Sequence, residues 1–228
     1  MRFLPLIVLI LTAMAMPAFG ASSFLGGLSG GILTPDGVVV PPKTWEVSYH
    51  NLTNLFDDKD LTTVGVTYGL VENLEVGASF ASNHESDTAI NAKYRLMPET
   101  PSRPTVIIGA FDVGGTVEDL SDDDPGLFVV FSKDVTPAAT RIAGEPSKPL
   151  RLSVGFGKGV FDGVFAGMDW TLQPQLRLMA EFFGGKIGKN DNLFNAGIRY
   201  APTDALRLDV ATIDFEDIAL GVNYRIAY

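Results

Sequence analysis

Apolar and polar residues alternate at every second position through most of the chain after residue 43. The stretch 205–213 shows this clearly, with Leu206, Leu208 and Val210 on one face and Arg207, Asp209 and Ala211 on the other. Because successive side chains of a strand point to opposite faces, this pattern predicts β-strands. Twelve strands are predicted, at about 44–52, 61–69, 73–82, 88–97, 104–114, 126–135, 150–158, 161–171, 175–184, 191–200, 205–213 and 217–228.

These predicted strands are longer than those of ordinary soluble sheets. Most span about ten residues, against the five or six typical of globular proteins, and about ten residues of tilted strand are enough to cross a bilayer. A tight hairpin also recurs, in which an aromatic residue is followed six positions later by leucine, as in 68–74, 170–176 and 200–206. Because Trp and Tyr rings settle at the boundary between lipid and water, we expect interface positions for Tyr68, Trp170, Tyr200 and Tyr228.

The connections between the predicted strands fall into two chemical classes. Those that join strands 2–3, 4–5, 6–7, 8–9 and 10–11 contain eight of the fourteen prolines. The alternate connections contain one proline, Pro125, and many acidic residues, as at 57–60 and 117–124. Connections that alternate in chemistry indicate a barrel with two different ends, as in a barrel that crosses a membrane from the periplasm to the outside. Both ends of the barrel sequence fall at the proline-bearing end, which we expect to face the periplasm.

The stretch 220–228, LGVNYRIAY, alternates in the same way and finishes on an aromatic residue. A last strand that pairs with the first strand leaves no strand edge in lipid. The stretch resembles the C-terminal signal of bacterial outer-membrane barrels, with Val222, Tyr224, Ile226 and Tyr228 as its alternating residues. The resemblance implies that the barrel-assembly machinery recognises this strand. Two departures are the final Tyr, where Phe is commoner, and Asn223, where the family usually has glycine.

The predicted fold is all-β, a transmembrane antiparallel up-and-down β-barrel of about twelve strands at 44–228. The alternative is a soluble, secreted β-sandwich with a binding role, which also alternates but turns its apolar face inward. Glycines on the polar face favour the barrel, because small residues relieve crowding on a concave wall. The charged residues expected to face the lumen are Glu46, Glu75, Lys93, Arg95, Arg151, Asp169, Arg177, Glu181, Arg199, Arg207, Asp209 and Arg225. Charges of both signs predict either an ion-paired, narrow interior, which we favour, or a selective pore.

The start of the chain differs from the rest. Residues 1–20 have the form of a secretory signal peptide, with Arg2, an apolar stretch and a small-residue cleavage site after Gly20. Residues 21–43 are rich in Gly and Pro and are expected to form a periplasmic lead or a plug in the lumen. The whole chain carries 17 Lys and Arg against 27 Asp and Glu, a formal net charge of −10, which argues against nucleic-acid binding. It has no cysteine, so disulfides and thiolate metal sites are both excluded.

Catalytic chemistry has few candidates in this sequence. Ser48 and His50 share one face of the first predicted strand, and His84 lies in a loop. In a lipid hydrolase the nucleophile and its base would have to meet on the side that faces lipid. The acidic loop 117–126 has carboxylates suited to Ca²⁺ but lacks the spacing of an EF-hand. We therefore expect no enzymatic activity, no cofactor and no metal, with an outer-membrane barrel lipid hydrolase as the alternative.

The stretch 22–50 contains LTP and a run of G…PP that leads into the first strand. It resembles the start of YjbH-like outer-membrane barrel proteins, and 64–80 is similar to their first tight hairpin. Those proteins are usually longer, and many carry a lipobox cysteine that is absent here. The resemblance implies a place in the bacterial outer membrane and an association with exopolysaccharide production and export. The expected role is passage or export of a small solute or a polysaccharide, or a structural role in the envelope, with outer-membrane lipid around the barrel.

Overall fold

The structure, a computed structural model, describes residues 21–56, 59–82, 86–115, 124–136, 148–187 and 190–228. The predicted signal peptide therefore lies outside the described residues. Two short strands come first, and twelve long strands follow. The strands are β1 (Ala21–Ser22), β2 (Ser29–Gly30), β3 (Thr44–Phe56), β4 (Lys59–Val71), β5 (Leu74–Ser82), β6 (Ser86–Met97), β7 (Thr105–Phe111), β8 (Gly126–Asp134), β9 (Leu150–Gly157), β10 (Gly163–Gln173), β11 (Leu176–Ile187), β12 (Asn190–Tyr200), β13 (Leu206–Ile213) and β14 (Asp217–Ala227).

Strands β3 to β14 form one closed antiparallel barrel in which each strand pairs with its neighbours in sequence. Closure is made by β14 and β3, whose register runs from Ala219 opposite Leu52 to Ala227 opposite Thr44. The prediction of an all-β, twelve-stranded up-and-down barrel is confirmed. The sandwich alternative is wrong, because its two packed sheets would leave open edges that a closed sheet does not have.

All twelve predicted strands differ from the structure by one to four residues at one or both ends, and two of these differences have a clear local cause. The strand predicted at 104–114 ends at Phe111, because Asp112 adopts a φ of 50° that turns the chain away from the sheet. Its backbone N–H donates instead to Asn91 Oδ1 at 2.8 Å. The strand predicted at 161–171 begins at Gly163, because Gly159–Phe161 forms a single 3₁₀ turn. That turn starts at Gly159, whose φ of 63° suits glycine.

The outer surface of the barrel is apolar along the strands. On β14, for example, Leu220, Val222 and Tyr224 are each 43–52% exposed, while the residues between them are buried or half-buried. A closed barrel with an apolar exterior is stable in lipid and insoluble in water. This surface and the closed fold place the chain in the bacterial outer membrane, as the sequence predicts. Within the described residues, no helix has the length and apolar character needed to cross a membrane.

The inner face of the barrel is divided along its axis. We call the end that holds Thr44 and Tyr228 the terminal end and the opposite end the far end. Towards the far end, the inward side chains form an apolar cluster that includes Leu52, Phe111, Phe128, Phe165, Phe183, Leu193 and Ile213. The 3₁₀ turn folds into this cluster, where the ring of Phe161 lies 5.1 Å from Phe128 and 5.9 Å from Phe165. Towards the terminal end, the inward side chains are mostly polar or charged.

The depth of Val222 in the bilayer can be tested against a residue on the same face of the same strand. A Val222→Arg substitution places a cation near mid-barrel in lipid and should lower the unfolding free energy by about 2–4 kcal/mol. Ile226→Arg lies four residues nearer the terminal end, where the cost should fall to about 0–1 kcal/mol. Urea titration of refolded protein in lipid vesicles measures both values. Equal costs at the two positions would contradict the assigned depth of β14.

Candidate functional site

Residues 21–40, which we call the inserted segment, lie inside the barrel. Nearly all of them are buried, from Ala21 at 0% exposure to Val40 at 1%. The segment begins as a hairpin in which β1 pairs with β2, and Phe24 N–H donates to Ile32 O at 2.7 Å. Its side chains and backbone contact residues on many strands of the barrel wall, as described below. The candidate functional site is therefore the lumen together with this segment.

The tip of the hairpin is apolar and reaches the apolar half of the lumen. Phe24, Leu25 and Leu28 belong to the same buried cluster as the far-end phenylalanines. The ring of Phe24 packs 4.8 Å from the ring of His50, and its carbonyl accepts a hydrogen bond from Thr63 Oγ1 at 2.8 Å. Burial of these side chains stabilises the inserted position by the hydrophobic effect.

Glu181, on β11, binds the middle of the inserted segment. Its carboxylate accepts hydrogen bonds from the backbone N–H groups of three successive residues, Ile32, Leu33 and Thr34, at 3.1, 2.6 and 3.2 Å. The Thr34 hydroxyl adds a fourth at 2.8 Å, and Asn195 Nδ2 donates from β12 at 2.9 Å. Hydrogen bonds to an ionised acceptor are stronger than neutral ones, so this one side chain holds the segment against one wall.

Glu75, on β5, does the same on the opposite side of the segment. It accepts hydrogen bonds from the backbone N–H groups of Ser29 and Val40 at 2.8 and 2.7 Å. Lys93, on β6, is fully buried. Its Nζ donates to Ser29 O at 2.6 Å and lies 3.4 Å from a carboxylate oxygen of Glu75 and from one of Asp36. A buried lysine is stable only when it is paired and hydrogen-bonded, and here two carboxylates and a backbone carbonyl meet that need.

Glycines in the wall allow the segment to approach it closely. A Cβ placed on Gly65 or Gly77 would collide with the backbone of Gly27 in the segment. The fit between the wall and the segment is therefore backbone against backbone at these two positions. This gives a specific reason for glycines that the sequence pattern assigns only to the relief of crowding.

The structure places the twelve predicted lumen charges on the inner side of the barrel, where all are buried or half-buried. Several form ion pairs across neighbouring strands: Arg225–Glu46 at 2.9 Å, Arg199–Asp209 at 2.8 Å, Arg177–Asp169 at 3.0 Å and Lys93–Glu75 at 3.4 Å. Arg207 lies 4.0 Å from Glu46, Arg151 pairs with Glu99 at 2.8 Å, and Arg95 donates to Glu72 O at 2.9 Å. Arg199 also donates to Gly30 O in the inserted segment.

Little free space remains beside the segment in this part of the lumen. A cavity of about 30 Å³ lies between Gly31–Thr34 and the wall formed by Arg151, Asp169 and Glu181. That volume holds one or two water molecules. The inserted segment therefore fills most of the lumen around Gly31–Thr34.

The four predicted interface aromatics lie on the outer face towards the terminal end. Trp170 and Tyr200 are 38% and 47% exposed, and Tyr228 is 86% exposed. Tyr68 is half-buried because its ring packs 4.3 Å from Trp45 on the neighbouring strand. Their contact with a membrane boundary stays a prediction.

The residues considered for catalysis are not arranged as a catalytic pair. Ser48 and His50 both lie on the inner face and are fully buried, and no hydrogen bond joins them in the described part of the chain. His50 Nδ1 instead lies 3.5 Å from Thr63 Oγ1. His84 and most of the loop at 117–126 fall outside the described residues. Among the residues that are described, no group of three or more His, Asp or Glu side chains could hold a metal ion.

The sequence pattern did not identify several partners of the lumen charges. Asp36, Ser29 and Thr34 belong to the inserted segment, which has no strand periodicity to assign their direction. Glu99 lies in the connection between β6 and β7, where it contacts Arg151 and Lys133. It lies two residues after the end of β6, in a proline-bearing turn where no period of two assigns its direction.

No protein-family model matches the chain, and no curated protein matches it by sequence. Among solved structures, the fold is similar to the KdgM porin, with a TM-score of 0.53 and 11% identity over 81% of this chain and 99% of that one. A structure of the KdgM porin in complex with disordered oligogalacturonate gives a TM-score of 0.54 at 10% identity over the same shares. The NanC porin gives 0.50 at 9% identity, again over 81% and 99%. The chain thus has the fold of outer-membrane porins.

Loss of the Glu181 charge should loosen the inserted segment. In Glu181→Gln, one of the two acceptor oxygens becomes an amide donor that faces backbone N–H groups. Since each hydrogen bond to a charged group contributes about 1.5–3 kcal/mol, hydrogen–deuterium exchange at 32–34 should rise at least about tenfold. Glu99→Gln is the control, because the hydrogen bonds and ion pairs of Glu99 in the described residues go to Lys133, Asp134 and Arg151 of the barrel wall. Unchanged exchange in Glu181→Gln would show that the carboxylate does not hold the segment.

Proposed function

We propose that the protein is an outer-membrane barrel for the passage of a polar solute, and that its inserted segment closes the lumen in the state described above. The observation that carries the proposal is the capture of segment backbone by two buried carboxylates, Glu75 and Glu181. These bonds are polar, so they can be exchanged for water or solute, unlike the apolar contacts that the segment also makes.

The charged half of the lumen supports a polar solute. Arginines and carboxylates alternate on this wall, and such side chains bind hydroxyl, carboxylate and phosphate groups of a solute. The KdgM porin, which has a similar fold, is described in complex with oligogalacturonate. A saccharide or another small polar molecule is therefore the class of solute that we favour for this chain.

A role in exopolysaccharide export is a narrower form of the same proposal. It rests on the resemblance of 22–50 and 64–80 to YjbH-like proteins, and the inserted segment occupies much of the first stretch. Since the segment lies in the first stretch and Glu75, which binds it, lies in the second, the shared motifs would encode part of the closure. The structural alternative, a barrel that stays filled and only supports the envelope, is favoured by the little space left in the lumen.

The proposal includes an orientation and two partners. The terminal end, with its proline-bearing connections, would face the periplasm, and the acidic connections of the far end would lie outside. Outer-membrane lipid would cover the apolar exterior. The barrel-assembly machinery would bind β14, whose outward residues Val222, Tyr224 and Ile226 are exposed and end next to Tyr228.

Solute passage can be tested by ion conductance in planar lipid bilayers. The wild-type barrel should conduct rarely, because its segment fills the lumen. Glu181→Gln combined with Glu75→Gln should increase the open fraction by at least about tenfold, as expected for the loss of about 1.4 kcal/mol or more of segment binding. Glu99→Gln is the matched control and should stay closed. If the double variant folds and remains silent over the full voltage range, the structural role is correct and the passage role is wrong.

The orientation can be tested with single cysteines, since the chain has none of its own. Asn192 lies near the far end and Thr203 in the connection between β12 and β13 at the terminal end, and both are exposed. On intact cells, an impermeant maleimide should label Asn192→Cys and leave Thr203→Cys unlabelled. Labelling of Thr203→Cys and not of Asn192→Cys would show that the barrel has the opposite orientation in the membrane.

A further inference from the structure

Two hydroxyl groups of the inserted segment are bound by carboxylates of the barrel wall. The Ser29 hydroxyl lies 2.9 and 2.8 Å from the two carboxylate oxygens of Glu75, and it accepts a hydrogen bond from Lys93 Nζ at 2.6 Å. On the opposite wall, the Thr34 hydroxyl donates to Glu181 Oε2 at 2.8 Å. All five side chains are buried. We call these two places, at Glu75 and at Glu181, the hydroxyl sites.

The hydroxyl site at Glu75 favours an uncharged group. An anion bound there would lie against the Glu75 carboxylate, and a cation would lie against Lys93 Nζ, which is 3.4 Å from that carboxylate. Repulsion between like charges is strong in an interior from which water is excluded. A hydroxyl avoids both repulsions, because its O–H donates to the carboxylate while its lone pairs accept from the ammonium. This site therefore fits a neutral alcohol better than an acid or an amine.

The hydroxyl site at Glu181 has a negative charge that no cation balances in the described part of the wall. Arg199 is paired with Asp209 at 2.8 Å, and Arg177 is paired with Asp169 at 3.0 Å. The Glu181 carboxylate is instead stabilised by N–H and O–H donors of the segment and of the wall. A carboxylated solute would be repelled here, whereas the hydroxyls of an uncharged solute can replace these donors.

The site at Glu181 is the one that lies next to free space. The cavity of about 30 Å³ is directly beside Thr34 and Glu181. Its other charged lining side chains, Asp36, Arg151 and Asp169, are half-buried, so solvent reaches part of this wall. A volume of this size accommodates a hydroxyl group. Exchange of the Thr34 hydroxyl for another hydroxyl can therefore start at this site.

We propose that the solute of this barrel is an uncharged, hydroxyl-rich molecule of the neutral oligosaccharide class, whose hydroxyls take the places of the Ser29 and Thr34 hydroxyls when the segment withdraws. These residues are five positions apart, so their Cα atoms are at most about 17 Å apart, and one short oligosaccharide can occupy both sites. The inference rests on the proposed passage of a polar solute, because the segment fills the site at Glu75 in the closed state. It gives the solute a different charge from the oligogalacturonate described with the KdgM porin.

Binding can be measured on a full-length variant in which the segment is loosened and the charged wall is unchanged. Gly27 has a φ of 69°, and a Cβ there would collide with the Asn91 side chain and the backbone of Ala78. Gly27→Val should therefore shift the segment away from the wall. The heat-dependent gel shift shows that the barrel is folded, and faster hydrogen–deuterium exchange at 32–34 shows that the segment is loosened.

Three saccharides of equal length and different charge are the probes. Maltohexaose is neutral, hexagalacturonate is anionic, and the glucosamine hexamer is cationic at mildly acidic pH. In isothermal titration calorimetry, in a detergent without a sugar headgroup, maltohexaose should bind Gly27→Val at least about tenfold more tightly than either charged hexamer. Addition of Glu181→Gln should weaken maltohexaose binding severalfold, because a charged acceptor is lost. Addition of Glu99→Gln should leave it unchanged.

Wild-type protein provides a second measurement, which decides alone if Gly27→Val does not fold. A hydroxyl that takes the place of Thr34 at Glu181 competes with the N–H groups of Ile32 and Leu33 for the same carboxylate. A ligand that binds the released state increases its population. Excess maltohexaose should therefore raise hydrogen–deuterium exchange at 32–34 at least about threefold, and hexagalacturonate should not.

Tighter binding of either charged hexamer than of maltohexaose would overturn the proposal. Tighter binding of a blocked peptide with the sequence of 29–34 would also overturn it, because the wall would then recognise a peptide. The same holds if maltohexaose neither binds the loosened variant nor changes exchange in the wild type.

Ion conductance separates this inference from the proposed function. A barrel that conducts but binds no maltohexaose keeps the passage role and contradicts the solute class. A barrel that binds maltohexaose as expected but never conducts keeps the ligand class and contradicts passage.

Discussion

The pairing of β14 with β3 is the contact on which the rest of the structure depends. In lipid no water is present to satisfy a free strand edge, so a sheet of this kind is stable only when it is closed. Closure from Leu52–Ala219 to Thr44–Ala227 fixes the number of strands and their alternation of outward and inward side chains. It also encloses a narrow lumen in which every polar group must find a partner.

The inserted segment, which lies inside the lumen, must also find a hydrogen-bond partner for each of its buried polar groups. Its backbone does not follow a strand ladder after Gly30, so its N–H groups require other acceptors. Glu75 and Glu181 provide them, and the segment in turn surrounds carboxylates that would otherwise be buried without enough partners. Wall and segment are therefore mutually dependent: neither the buried charges nor the segment backbone would be satisfied alone.

The barrel could be predicted from the sequence because the pattern that identifies each strand is local. A period of two is visible within each strand, as in Leu206 to Val210, and it fixes the side of each residue without any knowledge of distant contacts. The path of the inserted segment was not predictable, since Thr34 and Glu181 are 147 residues apart and nothing periodic connects them. The apolar cluster at the far end of the lumen could not be predicted for a different reason. Phe182 and Phe183 are adjacent and point to opposite sides, so apolar character alone does not show which of them faces the lumen.

The axial division of the lumen determines how the barrel could open. The tip of the segment, at Phe24 and Leu25, is held by apolar packing that weakens only when the tip leaves the cluster. The stretch from Ser29 to Val40 is held by hydrogen bonds to Glu75 and Glu181, which water can replace one at a time, and by the burial of Ile32, Leu33 and Val39. In the proposed opening from the terminal end, the hydrogen bonds of the charged half would break before the apolar tip leaves its cluster. Among the described residues, the far half of the lumen is closed by Phe161 and its apolar neighbours, which a solute would have to displace. The asymmetry of the two halves thus favours control of the lumen from the terminal end.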